Sequence, residues 1–239
     1  MAVDGPDLLA ELARERERAA LLLDVDGTLA PIVERPEDAR VPDDTRAELS
    51  RLAGRYALVA CISGRAADDA GRVLGVDGIR VVGEHGLELD PDAEGWAARL
   101  HAFADTVGRP VERKRLSVSF HYRGDPDEEA SRAELERVAE RAREAGLVPR
   151  FGRKVLELRP PVDAHKGTAV RRLLGEHGLG RALYAGDDTT DLDAFAALDG
   201  LDLGVRVAVA AAESPPALRE AADIVVASPE ELLAVLRRL

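Results

Sequence analysis

Six short apolar runs, at residues 20–25, 57–62, 79–82, 181–185, 203–209 and 223–226, alternate with amphipathic stretches such as 43–55 and 166–177. Few folds accommodate that alternation. Parallel strands must be joined by crossovers of a dozen or more residues, and a helix supplies each crossover while covering a face of the sheet. A doubly wound parallel-sheet α/β core of the Rossmann-like kind is therefore expected. The rhythm breaks between 95 and 162, where a helix-like run at 96–107, the segment LSVSFHYR, a charged helix at 127–145 and two short strands ending in KVLELRP follow one another. In LSVSFHYR, Leu116, Val118, Phe120 and Tyr122 alternate with Ser117, Ser119, His121 and Arg123. That period fits a strand with one buried and one polar face. The expected organisation is a core from 1–92 and 164–239 interrupted by an α+β insert at 93–163. The N-terminal ELARERERAA run reads as a solvated helix face.

Composition narrows the classes of function. The 239 residues are 46% hydrophobic, enough for a buried core, and 45 Asp+Glu against 33 Lys+Arg give a net charge of -12. Such a surface is ill suited to neutralising phosphates of nucleic acid, so no nucleic-acid partner is expected. The longest apolar stretches, AALLL at 19–23 and VAVAAA at 207–212, fall short of the ~20 residues that cross a bilayer, so no membrane span is expected. The N-terminus lacks a basic start followed by an apolar run and does not read as a secretory signal. Cys61 is the single cysteine, so no internal disulfide forms, and a cytoplasmic location is the expectation.

Four strand ends carry the polar chemistry. LLLDVDGTL places Asp24 and Asp26 directly after an apolar strand, with Gly27 and Thr28 opening the next turn. Ligands of open α/β sheets bind beyond the carboxyl ends of strands, and an acid abutting a buried strand is costly without a partner. The same letters also make an ordinary turn. A second cluster, GDDTTD, follows RALYA and contains Asp187, Asp188 and Asp191. These acids are also what a helix N-cap and first turn prefer. Converging on one point, the two clusters would suit Mg²⁺, since oxygen-only ligands favour a hard cation over zinc. After YALVACI come Ser63, Gly64 and Arg65. They read either as an anion site at a helix N-terminus or as a capping serine. Lys166, one of only three lysines with Lys114 and Lys154, opens a helix where the macrodipole disfavours a cation. It is either exposed at small cost or compensated by an anionic group.

DVDGT, Ser63, Lys166 and GDDTTD stand in an order that resembles the haloacid dehalogenase-like phosphatases. GEHGLEL at 83–89, ERKRLSVSFHYR at 112–123, ELRPPVDAHKG at 157–167 and GDDTTDLDAF at 186–195 narrow the resemblance to the trehalose-6-phosphate phosphatases. The resemblance implies that Asp24 is a nucleophile forming an aspartyl-phosphate and Asp26 a general acid and base. It also implies Mg²⁺ held by Asp24, the Asp26 carbonyl and Asp187, with Asp188 and Asp191 in support. Ser63, Thr28 and amides near Gly27 and Gly64 would hold phosphate oxygens, and Lys166 would offset charge on Asp24 and the transferring group. The insert would be a cap, with Lys114, His121, Arg123 and Glu157 as sugar contacts and Arg65, Glu84, His85 and Glu88 contributing from the core edge. The implied substrate is trehalose 6-phosphate, and the implied functional partner a trehalose-phosphate synthase.

Rival readings remain. A phosphatase of sucrose phosphate or of mannosyl-phosphoglycerate has a similar cap, and HYR with GDDTTDLDAF weighs against it. A phosphorylation-dependent signalling module also uses a strand-end aspartate with Mg²⁺, but such a module is much shorter, lacks a cap and has no need of an acid at Asp26. A catalytically dead domain is disfavoured by intact Asp24, Asp26, Lys166 and Asp187.

Overall fold

A computed structural model describes residues 7–152, 154–210 and 214–239. The first six residues of the N-terminal reading and positions 211–212 of the VAVAAA run lie outside the described residues. The chain forms two compact units, one of the residues up to Gly86 with His165–Leu239, the other of Leu87–Ala164. The sequence reading puts the insert at 93–163. The second unit begins earlier because Leu87 and Ala93 pack with Leu116 and Ala164 in a small cluster of their own.

In chain order the elements are α1 (Leu8–Arg14), β1 (Ala19–Leu23), α2 (Asp43–Ala53), β2 (Leu58–Ile62), α3 (Ala67–Leu74) and β3 (Arg80–Val82). The second unit supplies α4 (Ala97–Asp105), β4 (Glu112–Arg113), β5 (Val118–His121), α5 (Glu128–Glu144), β6 (Val148–Gly152) and β7 (Val155–Arg159). The chain then returns with α6 (Lys166–His177), β8 (Arg181–Gly186), α7 (Asp191–Ala196), β9 (Leu203–Val209), α8 (Pro216–Ala221), β10 (Ile224–Val226) and α9 (Pro229–Leu236).

The first unit is the expected α/β core. Its six strands are all parallel, in the order β10-β9-β8-β1-β2-β3. Strands β1 and β2 are buried throughout, because helices cover both faces of such a sheet and an unbroken apolar run is what that position selects. Leu21, Leu23, Leu49, Leu52 and Leu183 meet in its main core at 0% exposure, each burial stabilising by roughly 1.5–3 kcal/mol. Winding reverses between β1 and β8, and the crevice beyond their carboxyl ends is where such sheets bind ligands. Both acidic clusters follow these two strands.

The second unit has an antiparallel sheet in the order β4-β5-β7-β6. Val118, Phe120, Leu156 and Leu158 cluster with Leu100 of α4 and Leu135 and Val138 of α5. The other face carries the cross-strand row Glu112, Ser119, Glu157 and Arg150. The expected polar face of LSVSFHYR is open only at its end, since Ser117 and Ser119 are buried while His121 and Arg123 are exposed. Ser119 is small and stands between the longer side chains of Glu112 and Glu157. Among the described residues no helix is long and apolar enough to cross a membrane.

Candidate active site

Asp24 is the first residue past β1, and its N–H donates to the Ala185 carbonyl of β8 at 2.9 Å. The two central strands thus remain laced together where the acid emerges. The chain then turns tightly, with Gly27 N–H donating to Ala30 O at 2.8 Å. Gly27 has φ +83, and a β-carbon there would fall 2.2 Å from Asp187 Oδ2. Only glycine satisfies both conditions. The Thr28 hydroxyl lies 3.4 Å from Asp24 Oδ2 and 3.3 Å from Asp187 Oδ1, so its single proton serves one carboxylate at a time.

Lys166 lies across from them. His165 caps α6, its Nδ1 accepting from Gly167 N–H at 3.2 Å while Thr168 Oγ1 accepts from His165 N–H at 2.9 Å. This fixes Lys166 as the first helical residue, and it is buried rather than exposed. Its ammonium donates to Asp24 Oδ1 at 2.8 Å and to Asp191 Oδ1 at 2.7 Å. Burial alone would lower the lysine's pKa, but the charges of Asp191 and Asp24 more than offset it and raise it. Anionic compensation is the arrangement found.

Asp191 stands in the first turn of α7, as the alternative reading expects of these acids, but Thr190 is the N-cap and the Asp191 side chain does not cap the helix. Its carboxylate turns back instead, with Oδ1 accepting from Lys166 and from Tyr184 Oη at 2.6 Å, and Oδ2 accepting from the N–H groups of Asp187 and Asp188 at 3.0 Å each. Gly186 makes room for this, since a β-carbon there would lie 2.2 Å from Asp191 Cγ. Asp188 is exposed and its Oδ1 accepts from Thr189 N–H at 2.7 Å.

Carboxylate oxygens of Asp24, Asp187 and Asp191 lie within 4.8 Å of one another. Burial pushes the Asp24 carboxyl up to about 6. Burial, with the charges of Asp24 and Asp191, pushes Asp187 up to about 8. Buried acids crowded in this way want a cation, and the oxygen-only donor set fits a hard divalent one. Asp191 already accepts four hydrogen bonds, so Asp24 and Asp187 are the carboxylates with capacity left for a metal.

Asp26 stands apart from this cluster. Arg65 Nε and Nη2 each donate to one of its oxygens at 2.7 Å, and Arg65 Nη1 donates to Asp69 at 2.7 Å. The guanidinium expected near a sugar is thus committed to two acids of the core. Ser63 is buried and its Oγ accepts from Arg65 N–H at 3.1 Å. It is not a helix cap, because α3 begins four residues later with Ala66 as N-cap. Glu84 is wholly buried, and the His85 ring lies against Gly64, where a β-carbon would meet Cε1 and Nε2 at 2.7 Å.

The remaining sugar candidates belong to the second unit. Lys114 follows β4, its N–H donating to Ser117 O at 3.0 Å, and by strand alternation it shares the polar face with His121 and Glu157. His121 Nε2 lies 2.7 Å from Glu112 Oε2. Arg123 is exposed beyond the end of β5, and Glu88 is half-buried. Two residues escaped the sequence reading. Glu112 sits two positions from Lys114 on the same face, a spacing that could have flagged it. Tyr184 lies inside an apolar run that carries no sign of a partner for its hydroxyl.

The family model described as trehalose-phosphatase matches residues 22–106 and 100–229. The trehalose-phosphate phosphatase of Mycobacterium avium is 38% identical over 208 residues, covering 76% of this chain and 51% of that protein. An uncharacterized glycosyl hydrolase of Mycobacterium tuberculosis is 38% identical over 214 residues, covering 80% of this chain and 16% of that protein. The chain thus spans about half the length of the first relative and far less of the second. Among solved structures, a trehalose-6-phosphate phosphatase related protein matches with a TM-score of 0.71 at 26% identity, over 91% of this chain and 95% of that one.

Proposed function

The chain belongs to the trehalose-phosphatase family, and we propose that, in the manner of the haloacid dehalogenase-like phosphatases it resembles, it hydrolyses trehalose 6-phosphate to trehalose and phosphate through a covalent intermediate on Asp24. The observation that carries this reading is the placement of Asp24 at the sheet's switch point, paired with buried Lys166 and facing Asp187. A carboxylate kept in ionic contact with an ammonium beside a cation site is equipped to attack an anion.

In the proposed reaction an Asp24 carboxylate oxygen bonds to phosphorus. The bond from phosphorus to the sugar oxygen breaks, and that oxygen leaves with the electron pair and takes a proton from Asp26. Water then attacks the phosphoryl group, gives its proton to Asp26 and releases phosphate, restoring Asp24. Lys166 holds the nucleophile in place and offsets charge on the transferring group, while Ser63, Thr28 and the amides near Gly27 and Gly64 hold phosphate oxygens. Asp24, Asp187 and the Asp26 carbonyl would hold Mg²⁺, which when bound reduces repulsion between the two anions. Asp188 and Asp191 support that group, Asp191 by fixing Lys166 and the backbone of 187 and 188. Lys114 and Glu157 of the second unit, with Glu112 and His121 beside them, recognise the sugar.

The test is an acid quench of the chain mixed with trehalose 6-phosphate and Mg²⁺, the phosphorus being labelled. Label on the wild-type protein and none on Asp24→Asn is expected. Wild-type levels of label on Asp24→Asn would place the nucleophile elsewhere.

A further inference from the structure

Glu84, His85 and Gly86 occupy the left-handed region in succession, with φ of +49, +56 and +100. Two of the three bear a β-carbon, which makes that conformation sterically costly. Consecutive strain of this kind persists only where the surroundings over-determine it, and it clusters where a site needs it.

The surroundings here are specific. Glu84 N–H donates to Arg65 O at 2.7 Å and His85 N–H to Ser63 O at 2.8 Å, so the turn is fastened to the loop after β2. The imidazole of His85 lies on Gly64, too close for any β-carbon there. On its other side the turn abuts the start of α6, since a β-carbon on Gly86 would lie 3.0 Å from both His165 O and Ala169 Cβ. His165 is the cap of the helix whose first residue is Lys166. The strained turn therefore sits between the Ser63–Gly64 loop and the helix end that carries the ammonium.

We propose that His85 is a positioning residue for phosphate binding: the strained turn sets the spacing between the Ser63–Gly64 loop and Lys166, and is kept for that purpose at the expense of stability. The inference rests on the phosphatase reading, in which both flanking elements serve the phosphoryl group. The resemblance placed His85 among sugar contacts, and the packing of its ring on Gly64 moves it to the phosphate side.

His85→Ala removes the ring but leaves a β-carbon in the strained conformation, whereas His85→Gly removes both. Thermal denaturation, calorimetric binding of inorganic phosphate with Mg²⁺, and steady-state kinetics on trehalose 6-phosphate and p-nitrophenyl phosphate test the two variants. His85→Gly is expected to melt several degrees above His85→Ala, yet to bind phosphate at least fivefold more weakly than wild type and to lose at least tenfold in kcat on both esters. His85→Ala, which also lacks the ring, is expected to lose phosphate binding and kcat to the same extent, so the gain in Tm from alanine to glycine restores no function, a separation that loss of a merely structural contact does not produce. Activity that falls in step with Tm, or wild-type phosphate binding and kcat in both variants, overturns the proposal. A wild-type chain that binds phosphate but hydrolyses neither ester overturns the proposed function alone, and the phosphate constants still decide the role of His85. Absence of phosphate binding by the wild type overturns both.

Discussion

Arg65 holds both carboxylate oxygens of Asp26, through Nε and Nη2 at 2.7 Å each. In the proposed reaction Asp26 must offer a protonated oxygen to the departing sugar, so the guanidinium has to surrender one oxygen as substrate enters. Its remaining bond and the anchor to Asp69 keep the acid aimed. Lysine has charge but no planar fork and cannot release one oxygen while holding the other. Arg65→Lys is therefore expected to lower kcat on trehalose 6-phosphate about tenfold, or ~1.4 kcal/mol. On p-nitrophenyl phosphate, whose leaving group needs no proton, kcat should change little. Equal losses on the two esters would detach Arg65 from proton transfer.

The core fold was legible because parallel strands covered on both faces must be apolar throughout, which is how β1, β2 and β8 read. Convergence of the two acidic clusters was legible for the same reason, since both follow strands that a doubly wound sheet places side by side. What stayed hidden depends on distant pairing. Nothing near Arg65 in the sequence announces a partner 39 residues away. Tyr184 looks apolar until Asp191 turns back onto it. Strand β4 is two exposed residues long, too short to show a period. Ser63 resembled a cap because serine commonly is one, whereas here the chain runs on to Ala67 before the helix starts.

The crowded acids link stability to pH. The Asp24 carboxyl is pushed up to about 6 and Asp187 to about 8, against about 4 in an unfolded chain. The native state then binds more protons than the unfolded state between pH 4 and 8, so stability falls as pH rises across that window. Without metal, Tm should drop from pH 5 to pH 8, and Mg²⁺ should raise it more at pH 8, where fewer protons compete. Asp187→Asn should flatten the metal-free profile, raise Tm at pH 8 and abolish the Mg²⁺ effect. Scanning calorimetry in chelator and in Mg²⁺ checks all three, and a Mg²⁺ shift undiminished in Asp187→Asn would remove Asp187 from the ligand set.

Gly27 tests the geometry of the same cluster through the backbone. A β-carbon at φ +83 costs about 1–2 kcal/mol, and this one would also displace Asp187 Oδ2. Gly27→Ala should lower Tm and raise the Mg²⁺ concentration for half-maximal activity about tenfold or more. An unchanged Mg²⁺ requirement would show that the position of Asp187 is not what the metal needs.

Lys114 and Glu157 separate sugar recognition from phosphoryl transfer. A polar contact to a sugar hydroxyl contributes ~1–3 kcal/mol when its loss leaves the partner unsatisfied. Alanine at either position should thus lower kcat/KM for trehalose 6-phosphate by roughly 5- to 100-fold while sparing p-nitrophenyl phosphate. Lys166→Ala should damage both. Parallel losses on the two esters in the Lys114 and Glu157 variants would assign them to folding or to phosphate.

Phosphate release by the purified chain with Mg²⁺, measured side by side on trehalose 6-phosphate, sucrose 6-phosphate and mannosyl-phosphoglycerate, bears most directly on the central claim. The account predicts kcat/KM for trehalose 6-phosphate about 100-fold or more above the other two, the margin expected when several sugar hydroxyls find buried partners. Equal or faster release from either alternative, or none from trehalose 6-phosphate, would contradict it.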